Sequence, residues 1–162
     1  MAPLNVGLIG YGFSTKSFHL PFITPNPDLK VYAFFQRSEA PKDPKSAKAG
    51  AHCTVDWPDA KFYQNAHDFF GDDKIDLVIV CSQHDTHAEY AEKAMRSGKH
   101  GMYHRGRSWI SVLIDPAVVV EKPFTVNTAD ADHLIKVQKE TGKTLTVFQS
   151  TLKPSNVPVL YM

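Results

Sequence analysis

The run Ile75-Asp76-Leu77-Val78-Ile79-Val80-Cys81 constrains this chain more than any other stretch. A strand with one face in water alternates apolar and polar residues. A nearly continuous apolar run suits instead a parallel strand covered on both faces. Other strand-like segments flank it. Leu4 to Ile9 is short and apolar and ends at glycines, while Leu29 to Phe35 alternates and runs into Gln36-Arg37-Ser38. Ala60 to Tyr63 is a weak third strand, and Val118-Val119-Val120 and Leu145 to Phe148 complete the set.

Helical patterns fill the gaps between them. Asn65 can cap Ala66 to Phe70, with Gly71 as the stop. Thr86 to Ser97 places Ala91, Ala94 and Met95 on one side, and Gly98 supplies a left-handed cap. Asn127 or Thr128 caps a last helix in which Ala131, Leu134, Ile135 and Gln138 share a face, ended by Gly142. Strands alternating with helices predict an open parallel sheet with right-handed crossovers, a doubly wound α/β fold in a single domain.

Bulk properties narrow the class of partner. At 162 residues, 43% hydrophobic and 22% charged, the chain has ordinary globular composition. Its formal net charge of +1 gives no reason to expect nucleic acid or an anionic membrane as partner. No apolar run reaches the ~18 residues of a bilayer span. Met1 to Asn5 lacks the pattern of a signal peptide, and Cys53 and Cys81 form no CxxC. The expectation is a soluble, cytoplasmic domain with reduced, buried thiols. The lysine-rich loop Pro41 to Lys48 is expected as a solvated face.

The chemistry gathers where strands end. Gly10-Tyr11-Gly12-Phe13-Ser14-Thr15 follows the first strand and opens a helix. Gly10 permits a tight turn, Gly12 lets the backbone approach a pyrophosphate, and the helix N-terminus offers N–H groups to the anion. Thr15 stands where a third glycine would sit, which predicts slightly looser packing of helix on strand. A ribose 2′-hydroxyl wants a carboxylate at the end of the second strand, and a 2′-phosphate wants a cation and hydroxyls. Here stand Arg37 and Ser38, with Glu39 only after them, so NADP(H) is favoured over NAD(H). Glu121-Lys122-Pro123 follows the Val118–Val120 strand, placing a cation where it can stabilise a developing alkoxide or join a proton relay.

Together "VGLIGYG…FHLPF", "IDLVIVCSQHDTHAEYAEKAMRSGKH" and "VVVEKPF" resemble the Gfo/Idh/MocA oxidoreductases, over residues 4 to 149 apart from 101 to 117. The resemblance implies an N-terminal NAD(P)-binding Rossmann domain, here residues 1–149. It implies hydride transfer on sugars, polyols or related carbonyl compounds. Lys122 would be catalytic beside the nicotinamide, oriented by Glu121, often with a cis bond before Pro123. Cofactor contacts would come from Gly10, Gly12, Phe13, Ser14, Thr15, Arg37, Ser38, Ser82, His84, His87, Glu121, Lys122 and Pro123. The family often has a proline and an asparagine where Gln83 and His84 stand, so these two are expected to line the groove differently. His84 and His87 lack the companions of a metal site, and a capping or ribose-contacting role is expected of such a His rather than a metal.

Two segments depart from the family pattern. It runs from Lys99-His100 directly into the valine strand, so Gly101 to Ala117 reads as an insertion. Gly101-Met102-Tyr103 can be encoded around an intron donor and Ala117-Val118 around an acceptor. Joining the outer bases gives one valine codon and restores His100-Val-Val119-Val120, the pattern of a retained intron. Ser150 to Met162 reads as an unrelated tail with two prolines. The family's second, substrate-binding domain has no counterpart here, so turnover by this chain alone is not expected and a monomer is. The rival expectation is a non-catalytic dinucleotide-binding module acting as a sensor or partner subunit.

Overall fold

The apolar run of residues 75–81 becomes the strand β4 (Leu77–Val80), with Ile75 and Cys81 buried just outside its ladder. A computed structural model describes residues 2–97 and 117–148 of the chain. Its strands are β1 (Leu4–Ile9), β2 (Leu29–Phe35), β3 (Lys61–Tyr63), β4, β5 (Ala117–Val120) and β6 (Thr144–Val147). The helices are α1 (Leu20–Ile23), α2 (Cys53–Asp56), α3 (Ala66–Gly71), α4 (His87–Arg96) and α5 (Thr128–Thr141). All neighbouring strands pair parallel in the order β3-β2-β1-β4-β5-β6, the doubly wound order with its switch point between β1 and β4. Gly98, the segment 101–116 and the tail 150–162 lie outside the described residues.

Strand alternation divides the core in two. Ala33, Phe35, Val78, Val80, Val118 and Val120 face the side covered by α3, α4 and α5, where they meet Phe69, Tyr90, Met95, Leu134 and Val137. Val6, Leu8, Phe34 and Ile79 face the other side, where they meet Leu20, Ile23 and Cys53. Neither face of the central strands is left to water, as the unbroken apolar run requires.

Several details depart from the pattern read in the sequence. Ala117 already pairs with Thr144, so β5 begins one residue inside the expected insertion. In α5 the buried residues are Leu134 and Val137, with Ile135 and Gln138 half-buried. The packed stripe therefore turns toward the 134/137 row, and exposed residues of α5 are tied to α4 by Arg96–Glu140 and His133–Glu92 pairs. Gly71 is the last residue of α3 rather than a left-handed stop; Asp72 ends that helix with extended backbone. Helix α2 had no counterpart in the sequence reading. Its cap is the imidazole of His52, whose Nδ1 accepts from Thr54 N–H.

Asn127 caps α5 by accepting from Asp130 N–H, and Gly142 ends it at φ 65°. Asn65 caps α3 in the same way through Asp68 N–H. Such side-chain caps each contribute about 1 kcal/mol.

Candidate dinucleotide site

The site is assembled at the carboxyl ends of β1, β2, β4 and β5. After β1 the chain turns through Gly10 at φ 97°, where an added Cβ would lie 2.7 Å from the Cys81 carbonyl oxygen. Two constraints, left-handed backbone and contact with the neighbouring strand end, therefore demand glycine there. Gly12 differs: a Cβ on it would meet nothing within 4 Å. Its backbone borders open space beyond the end of β1.

Beyond Gly12 the chain makes a wide π-type turn, Thr15–His19, that continues into α1. The Leu20 N–H bonds to the Thr15 carbonyl, one residue further back than in an α-helix. Pro21 explains the widening, because its ring would crowd an ordinary helical carbonyl and it has no N–H to give. Thr15 corrects the expectation of looser packing. It is fully buried, and its hydroxyl donates to the Gly10 carbonyl at 2.8 Å, locking the turn it follows.

The loop after β5 holds Glu121, Lys122 and Pro123, with the Lys122–Pro123 bond cis. Glu121 is buried. Its Oε1 accepts from Ser14 Oγ at 2.5 Å and His19 Nε2 at 2.8 Å, and its Oε2 accepts from the Lys122 backbone N–H at 3.0 Å. Burial works against the charge, but these donors outweigh it and hold the carboxyl below its usual range. Glu121 thus fastens the backbone of Lys122, and with it the loop, to the glycine turn. Lys122 itself is exposed at the mouth of the site.

His87, expected as a cofactor contact, is fully buried. Its ring nitrogens face the Pro123 carbonyl at 2.8 Å and the Ser82 carbonyl at 3.1 Å. It joins the end of β4 to the proline loop, and burial denies it direct contact with a bound molecule. His84 is exposed in a short 3₁₀ turn, His84–Thr86, and Ser82 Oγ accepts from Thr86 Oγ1 at 2.8 Å. Phe13 is largely exposed and stacks edge-on with Phe18.

At the end of β2, Arg37 and Ser38 are both exposed. The Arg37 guanidinium reaches Gln83 Oε1 at 3.4 Å, bridging the ends of β2 and β4 across the mouth of β1. Ser38 Oγ accepts from Gln36 Nε2 at 2.6 Å.

Sequence reasoning missed two supports. His19 is buried against Phe148 and bonds Glu121; it sits in the quoted "FHLPF", so the signal was present without an assigned role. The second is a brace behind the glycine turn, where Tyr11 donates to Asp56 at 2.6 Å and Lys16 to the Gly50 carbonyl at 3.0 Å. Among the described residues no group of three His, Cys, Asp or Glu side chains could hold a metal ion. No described helix is long and apolar enough to cross a membrane.

The profile of the Gfo/Idh/MocA oxidoreductases, described as having an NAD-binding Rossmann fold, matches residues 4–103. The chain belongs to this family. Within it, the chain is 34% identical over 149 residues to the uncharacterized oxidoreductase YdgJ of Escherichia coli, spanning 91% of this chain and 34% of that one. It is 26% identical over 148 residues to the scyllo-inositol 2-dehydrogenase (NADP(+)) IolW of Bacillus subtilis, covering 91% and 33%. The crystal structure of an oxidoreductase from Bacillus cereus superposes with a TM-score of 0.66 at 25% identity, over 90% of this chain and 35% of that one. This member of the Gfo/Idh/MocA family thus spans about a third of the length of such relatives, and the matched third is their NAD-binding Rossmann domain.

Proposed function

We propose that this chain is the cofactor-binding domain of an NADP(H)-preferring oxidoreductase that moves hydride between the nicotinamide and a carbon bearing a hydroxyl or carbonyl, on sugar- or polyol-type substrates. The observation that carries the reading is the meeting of the open Gly12 turn with the loop of Lys122, through Ser14 and Glu121. Relatives named as inositol dehydrogenases, one of them NADP(+)-dependent, support the substrate class and the cofactor. The domain is read as residues 1–149, with 101–116 interposed and 150–162 outside it.

In this reading Gly10 and Gly12 leave room for the pyrophosphate, and the backbone of Phe13, Ser14 and Thr15 directs N–H groups toward it. Arg37 and Ser38 take the 2′-phosphate, Arg37 by charge-assisted hydrogen bonds. Ser82 and His84 border the far side of the crevice, and Pro123 shapes the loop that presents Lys122. The bound nicotinamide supplies the carbon that accepts or gives up hydride. Lys122 polarises the substrate oxygen and stabilises the charge that develops there. His87 and Glu121 hold the two loops that bear these groups.

Calorimetric titration of the chain with NADPH and NADH tests the proposal. NADPH is expected to bind at least about tenfold tighter, a difference of ~1.4 kcal/mol. Arg37→Ala should remove most of that advantage while leaving NADH affinity within about twofold, since only the 2′-phosphate contact is lost. Equal affinity for the two cofactors, unchanged by Arg37→Ala, would refute the NADP(H) preference.

A further inference from the structure

Glu121 is held from two directions, by the glycine turn and π-type turn on one side and by its own loop on the other. His19 lies in the π-type turn after the glycine loop, 102 positions from Glu121, and is 4% exposed. Its ring packs on Phe148 with centroids 4.6 Å apart, and Phe148 N–H bonds to the Val120 carbonyl, so the ring is fixed from the β6 side. Its Nε2 points at Glu121 Oε1 at 2.8 Å. The same oxygen takes the Ser14 hydroxyl, and the other oxygen takes the Lys122 backbone N–H.

We propose that His19 is a positioning residue for the cofactor site: by donating its Nε2–H to Glu121 it sets the carboxylate that places the backbone of Lys122 against the glycine turn. This deepens the dinucleotide-binding reading above and rests on it. A carboxylate with donors on both oxygens has a preferred plane, and here that plane decides where the residue after it begins. Ser14 is the looser of the two holders, because it is half-exposed and its hydroxyl can turn toward water or a bound phosphate. His19 is held more firmly, buried and packed on Phe148.

The chemistry of the pocket agrees with a neutral ring. Burial, offset in part by Glu121, holds His19 below its usual range. Cys81, which faces Glu121 from the end of β4, is pushed up to about 12 by burial and stays a neutral thiol. The carboxylate of Glu121 is the charge these groups share, and a neutral His19 that donates to it must carry its proton on Nε2. The wide turn has a reason in this arrangement, since it delivers His19 to the end of β5 while Pro21 sits in the first turn of α1.

The experiment compares the full 162-residue chain as wild type, His19→Gln and His19→Ala, with two NMR readouts and one binding readout. On the wild type, nitrogen-15 shifts of His19 should show the proton on Nε2; a proton on Nδ1 alone overturns the proposal without any variant. The backbone amide resonance of Lys122 should move in His19→Ala and return in His19→Gln, whose Nε2 can donate in the same place. NADPH affinity should fall at least about fivefold in His19→Ala, as loss of a donor to a charged group predicts, and recover in His19→Gln. A folded His19→Ala with the wild-type Lys122 amide and affinity overturns the proposal. Failure of the wild type to bind any dinucleotide would instead sink the functional reading, while the tautomer and the Lys122 amide would still judge the clamp.

Discussion

Ser14 and Glu121 stand 107 positions apart in the chain and meet at 2.5 Å, hydroxyl to carboxylate. One belongs to the turn that opens the molecule, the other to the loop after β5. Their bond makes the glycine turn and the lysine loop a single unit at the switch point of the sheet. Damage to either should therefore be felt at both.

Gly10→Ala tests the turn. Its φ of 97° penalises any side chain, and the new Cβ would press on the Cys81 carbonyl at 2.7 Å. A loss of ~2 kcal/mol or more in urea unfolding is expected from strain of this kind, with dinucleotide binding abolished. Unchanged stability would mean the turn is more yielding than its geometry indicates.

Acid should weaken the fold in a definite order. His19 titrates below its ordinary 6.5 in the folded state, because burial outweighs its Glu121 partner. Its stability is complete above that value and falls as the unfolded chain takes up the proton first. Glu121 lies below its ordinary 4.5; burial opposes the shift, but Ser14, His19 and the Lys122 amide outweigh it. Asp72 lies well below 3.8; burial again opposes, outweighed by Tyr63, Lys61, the Lys74 amide and Tyr32. For both carboxylates the contribution is present above the ordinary value and lost as pH falls through the folded one. Urea midpoints should decline gently below pH 6.5 and steeply below 4.5, with Asp72→Asn flattening the steep limb. A midpoint constant from pH 7 to about 4 would contradict these assignments.

Both described thiols should be inert in the native state. Burial pushes Cys53 up to about 11 and Cys81 up to about 12, so almost no thiolate is present at pH 8. Ellman's reagent should label neither until urea is added. Rapid labelling of the native protein would place one of them nearer solvent than its burial allows.

Excising 101–116 tests the interposed segment. Helix α4 starts beside the site and runs away from it, and β5 runs toward it, so the end of α4 and the start of β5 lie away from the site. Excision should leave NADPH affinity within about twofold, as expected when the two ends being rejoined lie away from the ligand. A large loss of affinity would show that the segment reaches the cofactor.

How much of this was written in the sequence differs by element. The two-faced apolar strand β4, the Gly10 turn and the Asn65 and Asn127 caps were legible because each depends on chemistry within a few residues. The buried stripe of α5 was not, since the choice between Val137 and Gln138 is made by packing against α4 and the sheet. Helix α2 was invisible for a similar reason: its cap is a histidine, and its support comes from Tyr11 and Gln36 far away. Among the candidate site residues, the Gly10–Gly12 turn and the Lys122–Pro123 loop could be placed at strand ends from motif alone. The inward turn of His87 and the grip of His19 on Glu121 could not, because both are contacts across the sheet. Thr15 carried a misleading signal: read as a missing glycine, it proves to be a buried hydroxyl that closes the turn.

The most direct test of the account is an amide-resolved NMR titration of the 162-residue chain with NADPH. The account predicts saturable shifts at Gly10 to Thr15, at Arg37 and Ser38, at Ser82 to His84, and at Lys122, with the α3–α4 face unmoved. Shifts absent from the glycine turn, or concentrated between α3 and α4, would contradict it.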